Sequence, residues 1–149
     1  MNSHPYVRAY MAGIVVPSLF MLAIFCAFVV PHFFVFKETV PIERFLIFPM
    51  ALAPNLFGAW NMLYHRLRQH GYIPIGLHGA ILPFLIAPCG FFVGTSLGFI
   101  TAAHGRITWF QAISFPYALA ATGFAIALAI YYLVWKYFVN FFNGLLGIA

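Results

Sequence analysis

Long apolar stretches separated by a few polar residues dominate the pattern along this chain of 149 residues. Four of them are long enough to cross a membrane as helices, which takes about 20 residues at a rise of 1.5 Å each. They lack the alternation of apolar and polar residues that lipid-facing strands show, so helices are expected. The predicted spans cover about residues 9–36, 42–64, 73–103 and 109–135.

The connections between these spans are only a few residues long, which leaves no room for a soluble domain. We therefore predict an all-α fold, in which residues 1–149 form a single transmembrane domain of four helices with short loops. The apolar tail, residues 136–149, is expected to extend the last helix to about Asn143 or to lie along the membrane interface.

Composition supports a membrane protein and argues against nucleic-acid binding. Hydrophobic residues make up 64% of the chain and the mean hydropathy is +0.98, whereas soluble proteins are about 45–50% apolar. The chain has seven Lys and Arg residues and only two acids, and the basic residues are scattered along it. Nucleic-acid binding needs clustered basic residues, so membrane lipid with anionic headgroups is the expected counter-charge.

The basic residues also predict an orientation. Loops on the cytoplasmic side of a membrane carry the excess of Lys and Arg. The side that holds the N terminus has four such residues and the other side has three, so both termini are expected to be cytoplasmic. The first group is Arg8, Arg66, Arg68 and Lys136, and the second is Lys37, Arg44 and Arg106.

The third predicted span has a small residue at every fourth position. Such a stripe lets another helix approach until the backbones nearly touch. The partner is either the fourth span, which has small residues from Ser114 to Ala129, or a second subunit. We therefore expect a homo-oligomer or a subunit of a larger membrane complex. The stripe consists of Gly90, Gly94, Gly98 and Ala102.

Paired prolines predict kinks in two spans. Each proline removes one helical hydrogen bond and collides with a carbonyl one turn earlier. The two helices are then either bent packing elements or the broken helices of a midplane site like those of transporters. The prolines are Pro49 and Pro54 in the second span and Pro83 and Pro88 in the third.

One face of the second span is polar. At 100° per residue, Pro54, Gly58, Asn61 and His65 lie close together on that face, and Asn55 lies to one side. Asparagine in hydrocarbon must face protein or water. The two asparagines are therefore candidates for a functional site, or they form interhelical hydrogen bonds that hold the bundle together.

Candidate chemistry is sparse. His32 and His104 end the first and third spans on the same side of the membrane, so they are weak candidates for haem ligands. We predict no metal and no cofactor, with haem or pigment as a minor alternative. No span contains Asp, Glu, Lys or Arg away from its ends, which argues against proton relays and cation coupling. Catalysis is disfavoured, although the chain's status as an enzyme is left open.

Three functions fit these observations. The first is a channel or transporter for a small neutral or anionic solute. The second is a non-catalytic accessory or structural subunit of a larger respiratory, photosynthetic or biogenesis complex, and the third is electron transfer through haem. The solute path would be lined by Asn55, Asn61, Thr95 and Ser96.

Overall fold

The computed structural model describes residues 4–31, 42–71, 73–111 and 113–148, without the side chains of residues 28, 29 and 42–51. The chain is mostly helical, at 76%. The helices are α1 (Pro5–Ile24), which continues as a π-helical turn (Phe25–Val29), α2 (Ile42–Leu67), α3 (Ile75–Ser96), α4 (Tyr117–Leu133), a second π-helical turn (Val134–Val139) and α5 (Asn140–Leu145).

Three of the described helices are long and apolar enough to cross a membrane. They comprise Pro5–Ala27, Ile75–Ser96 and Tyr117–Leu145, with mean hydropathies of 2.1, 1.8 and 1.9. The last of them runs through α4, the second π-helical turn and α5 without a break. These helices support the prediction of an integral membrane protein.

A small β-sheet corrects the prediction of an all-α fold, which holds only approximately. The strands β1 (Ile100–Ala103), β2 (Arg106–Trp109) and β3 (Ile113–Pro116) form an antiparallel sheet in the order β1-β2-β3. Their β-branched and aromatic residues favour strands, but the same residues also raise hydropathy. The apolar pattern therefore assigned β1 and β3 to the ends of two membrane spans, and most of β2 to the connection between them.

Glycine explains why α3 ends before the sheet. Gly98 has a φ of 74°, a left-handed conformation, and it follows the last helical turn. The Phe99 N–H donates to the Gly94 carbonyl at 2.8 Å and the Gly98 N–H to the Thr95 carbonyl at 3.1 Å, which is the Schellman pattern of a helix end. Gly98 and Ala102 lie beyond α3, so the four small residues predicted as a stripe do not share one helical face.

The chain divides into two compact units by its contacts, comprising Met1–Ile73 with Tyr137–Ala149, and Pro74–Lys136. In the first unit, α1 and α2 pack antiparallel, and α5 packs on the beginning of α1. Ala9, Ala12 and Ile148 form its buried apolar cluster. In the second unit, α3 packs antiparallel to α4, with Phe84 against Phe124 at 5.1 Å between ring centroids.

The prolines lie inside continuous helices. Pro83 and Pro88 are inside α3, and Pro54 is in α2, as is Pro49, whose side chain is outside the described residues. Each helix runs through its prolines without a break in the assigned structure, so the predicted kinks stay predictions.

Candidate functional site

The most polar site inside the helix packing is a pair of asparagine side chains. Asn61 is fully buried and Asn143 is 3% exposed. Asn61 Nδ2 donates to Asn143 Oδ1 at 2.7 Å and to the Ala9 carbonyl at 2.7 Å. Asn143 Nδ2 donates back to Asn61 Oδ1 at 3.2 Å. The two amides thus join α1, α2 and α5, and both N–H groups of Asn61 are used.

The polar face predicted for α2 is what brings Asn61 to this position. Gly58 and Asn61 face α1 on that side of the helix, and His65 stacks edge-on against Tyr6 with ring centroids 5.6 Å apart. A Cβ on Gly58 would lie 2.6 Å from Cδ2 of Tyr10. The absence of that atom lets α1 and α2 approach closely enough for the side chain of Asn61 to reach the α1 backbone.

A second glycine makes the same approach from α1. A Cβ on Gly13 would lie 2.5 Å from the Phe57 carbonyl oxygen and 2.8 Å from the Gly58 Cα. Because these are backbone atoms, they do not give way to a side chain. The seam between α1 and α2 therefore depends on glycine on both helices, which sequence reasoning did not identify for Gly13.

Asn143 is held by the end of α5. Gly147 has a φ of 63°, and the Ile148 N–H donates to the Asn143 carbonyl at 2.9 Å while the Gly147 N–H donates to the Gly144 carbonyl at 3.0 Å. This is a second Schellman end. It fixes the backbone of Asn143 while its side chain pairs with Asn61, and it carries Ile148 onto α1.

Asn55 has a different environment from Asn61. It is exposed, and the Tyr10 hydroxyl donates a hydrogen bond to its Oδ1. The contact adds a second polar link between α1 and α2. Since both side chains lie on the outer part of the seam, they are accessible in a way that the asparagine pair is not.

Thr95 and Ser96, the predicted lining residues on α3, do not form a common site. The Thr95 hydroxyl lies 2.9 Å from the carbonyls of both Phe91 and Phe92 in its own helix. Such bonds to the preceding turn satisfy a hydroxyl without a partner helix. Ser96 is exposed at the last residue of α3.

Glycine also shapes the second unit, but at positions that sequence reasoning missed. A Cβ on Gly76 would lie 2.8 Å from the Tyr132 ring, and one on Gly79 would lie 2.0 Å from Cγ of Trp135. Gly90 has nothing within 4 Å of its Cβ position, and the neighbour of Gly94 is Ile100 just beyond its own helix. The Gly-x-x-Gly formed by Gly76 and Gly79 at the start of α3 was the available signal.

His78 and Trp135 form a buried contact beside these glycines. His78 is 2% exposed, and its ring meets that of Trp135 edge-on with centroids 5.9 Å apart. Trp135 is fully buried as well, so the contact lies inside the second unit. It makes His78 a packing residue of α3 rather than a ligand that faces water.

The predicted haem ligands are not joined by the structure. His32 lies outside the described residues. His104 is exposed in the two-residue turn between β1 and β2, where His104 and Gly105 have φ values of 51° and 77°. Positive φ at both positions is the type I′ geometry of a tight hairpin. Within the part of the chain that is described, no group of three His, Cys, Asp or Glu residues has metal-site spacing.

The sheet has its own polar contacts on the face that holds Arg106. The guanidinium of Arg106 donates to the Ser114 hydroxyl at 3.0 Å and to the Ser114 carbonyl at 3.1 Å. Thr108 adds a hydroxyl contact to Ser114 at 3.2 Å. These bonds bind β2 to β3 and leave this arginine occupied within its sheet.

Comparisons with family models, with curated proteins and with solved structures found no match to the chain. The asparagine pair offers hydrogen bonding and close helix packing, whereas the exposed apolar faces offer contact with lipid or with another membrane protein.

Proposed function

We propose that this chain is a non-catalytic accessory subunit of a larger membrane complex. The observation that carries the proposal is the closed asparagine pair. Asn61 was expected to line a solute path, and its amide is buried and bonded to Ala9 and Asn143. An amide with its hydrogen bonds made inside the protein stabilises helix packing and has little to offer a passing solute.

The outer surface of the last helix supports the same role. α4 has no buried residue, and only 6% of its most apolar window is buried within the chain. Small residues are frequent along it, and Gly123 has nothing within 4 Å of its Cβ position. A small-residue surface of this kind lets a neighbouring membrane helix pack closely.

The test is purification of the tagged chain in a mild detergent, followed by native mass determination. We expect a partner in fixed stoichiometry, either a different membrane protein or a second copy. Gly123→Leu should release it, because the added bulk meets no atom of this chain but separates two close-packed helices. Ile126→Leu, on an exposed part of the same helix, keeps its volume and is the matched control.

Two results would contradict the accessory role. One is a monomeric chain in every mild detergent. The other is a partner that stays bound equally well to the Gly123→Leu and Ile126→Leu variants, because α4 would then make no contact with it.

A channel or transporter for a small neutral or anionic solute is the second candidate. It is supported by the hydrogen bond between the half-buried Tyr10 and the exposed Asn55, which puts polar groups beside an apolar seam. Solute flux into vesicles that contain the purified chain tests it. Loss of flux in Asn55→Leu, with normal flux in Asn140→Leu, would favour transport over the accessory role.

We also propose that the two termini lie on the same, cytoplasmic side. Three contacts of the first unit support a common side for the start of α1 and the ends of α2 and α5. Tyr6 meets His65, Ile148 packs on Ala9, and the Arg68 guanidinium donates to the Ile148 carbonyl at 3.3 Å.

A further inference from the structure

Three arginines gather at one end of the first unit. Arg8 is in the first turn of α1 and Arg66 is in the last turn of α2. Arg68 is the first residue after α2. Arg68 Nη1 donates to the Ile148 carbonyl at 3.3 Å. A Cβ on Gly147 would lie 2.9 Å from Nη2 of Arg8. Two guanidinium groups therefore converge on adjacent residues after α5.

No acidic side chain balances this charge among the described residues. The chain has two acids, Glu38 and Glu43, and neither side chain is described. Glu43 is in the first turn of α2, 23 residues before Arg66, which corresponds to about 35 Å along a helix. Each guanidinium has five N–H donors, so the bond from Arg68 to the Ile148 carbonyl leaves most of its donors for another acceptor.

An open groove of about 430 Å³ adjoins Arg66. It is lined by Tyr6, Met62, Leu63 and Arg66. Its walls therefore combine an apolar surface with one cation and a tyrosine. The groove lies where the apolar part of α1 begins and the apolar part of α2 ends, which is the level of lipid headgroups for helices that cross a membrane.

We propose that this end of the first unit binds one anionic phospholipid. The phosphate is held by Arg66, with the positive charge of Arg8 and Arg68 at the same end of the unit, and an acyl chain lies against Met62 and Leu63. Arginine suits this role because its planar fork makes paired hydrogen bonds to phosphate oxygens. A basic pocket between membrane helices is also the usual form of a specific headgroup site.

The occupant is a diacyl lipid with a net negative headgroup, because the apolar wall and the cations are contiguous. A free phosphate would use only the arginines, and a zwitterionic lipid would use the apolar wall but bring a cation toward the guanidinium groups. The binding experiment separates these sources.

The test measures lipid binding to the full chain in detergent by native mass spectrometry, with thermal unfolding as a second readout. Phosphatidylglycerol is compared with phosphatidylcholine of the same acyl chains and with inorganic phosphate. We expect phosphatidylglycerol to bind at least tenfold more tightly than phosphatidylcholine. Inorganic phosphate at millimolar concentration should neither compete with it nor raise the unfolding temperature.

Arg66→Gln is the decisive variant, since Arg66 is exposed and makes no side-chain hydrogen bond within the described residues. A basic residue near an anionic headgroup contributes about 1 kcal/mol, so we expect phosphatidylglycerol to bind about fivefold more weakly to it. The triple variant with Arg8→Gln and Arg68→Gln should lose the preference for phosphatidylglycerol. Arg106→Gln, which removes one cation from the sheet of the other unit, should keep the preference for phosphatidylglycerol. Its unfolding temperature with lipid is compared with that of the same variant without lipid.

Three results would overturn the proposal. They are equal binding of the two lipids, an unchanged preference in Arg66→Gln, and full competition by inorganic phosphate, which would indicate a site for a free anion. If the triple variant fails to fold, the comparison of Arg66→Gln with Arg106→Gln still decides the question. None of these outcomes depends on whether the chain has a protein partner.

Discussion

Replacing Asn61 with alanine removes three hydrogen bonds at once from the packing of α1, α2 and α5. Two are donated by Asn61 and the third is received from Asn143. Side-chain hydrogen bonds between membrane helices contribute about 0.6 kcal/mol each on average. The variant also leaves the Asn143 amide buried without its partner, at a cost of about 1–3 kcal/mol. We expect the free energy of unfolding to fall by about 3–5 kcal/mol.

The double variant isolates the interaction between the two amides. Asn143→Ala removes two of the three bonds and leaves Asn61 bonded to the Ala9 carbonyl, so it should cost about 1–3 kcal/mol. Once one amide is gone, removal of the other relieves an unpaired buried group. We therefore expect Asn61→Ala with Asn143→Ala to cost less than the sum of the single variants by about 1–2 kcal/mol.

Equilibrium unfolding in mixed micelles, titrated with a denaturing detergent, measures the stability of the unmodified chain, the two single variants and the double variant. Asn140→Ala is the matched control, because Asn140 lies one turn earlier on the same helix and is exposed. It should change stability by less than about 0.5 kcal/mol. Additive losses from the two asparagines, or a loss for Asn61→Ala no larger than that of Asn140→Ala, would refute the pairing.

Two further predictions concern packing and topology. Gly79→Ala should lower the free energy of unfolding by about 1–3 kcal/mol, because the new Cβ would lie 2.0 Å from Trp135. Gly90→Ala has open space at its Cβ position, so in the same assay it should be neutral or slightly stabilising. Equal losses of stability in the two variants would show that α3 does not pack through Gly79. Reporters of compartment fused to each terminus should both give a cytoplasmic signal, and signals from opposite sides would contradict the shared end formed by α1, α2 and α5.

Sequence patterns predicted the parts of this fold that depend on local periodicity. Long apolar runs indicated membrane helices, and the period of 3.6 residues put Gly58, Asn61 and His65 on one face of α2, where they contact α1. The partner of Asn61 was not predictable in this way. Asn143 lies 82 residues away, and the spacing of residues in either helix does not indicate which distant side chain pairs with Asn61.

The sheet shows a different limit of sequence reasoning. A run such as Ile100–Ala103 is apolar both in a strand and in a membrane helix, so hydropathy does not separate the two states. The informative residues were Gly98 and the His104-Gly105 pair, since positive φ at these positions ends a helix and then turns a hairpin. Counting Gly98 as part of a packing stripe hid that signal.

The last turn of α5 connects the asparagine pair to the proposed lipid site. The Asn143 carbonyl accepts from the Ile148 N–H, while its side chain pairs with Asn61. The turn that this bond closes presents Gly147 to Arg8 and the Ile148 carbonyl to Arg68. The arginines are thus held together only while α5 is docked on α1 and α2. A ligand that binds this docked arrangement must stabilise it by mass action. An anionic lipid and the buried amides would therefore stabilise the same docked state of α5.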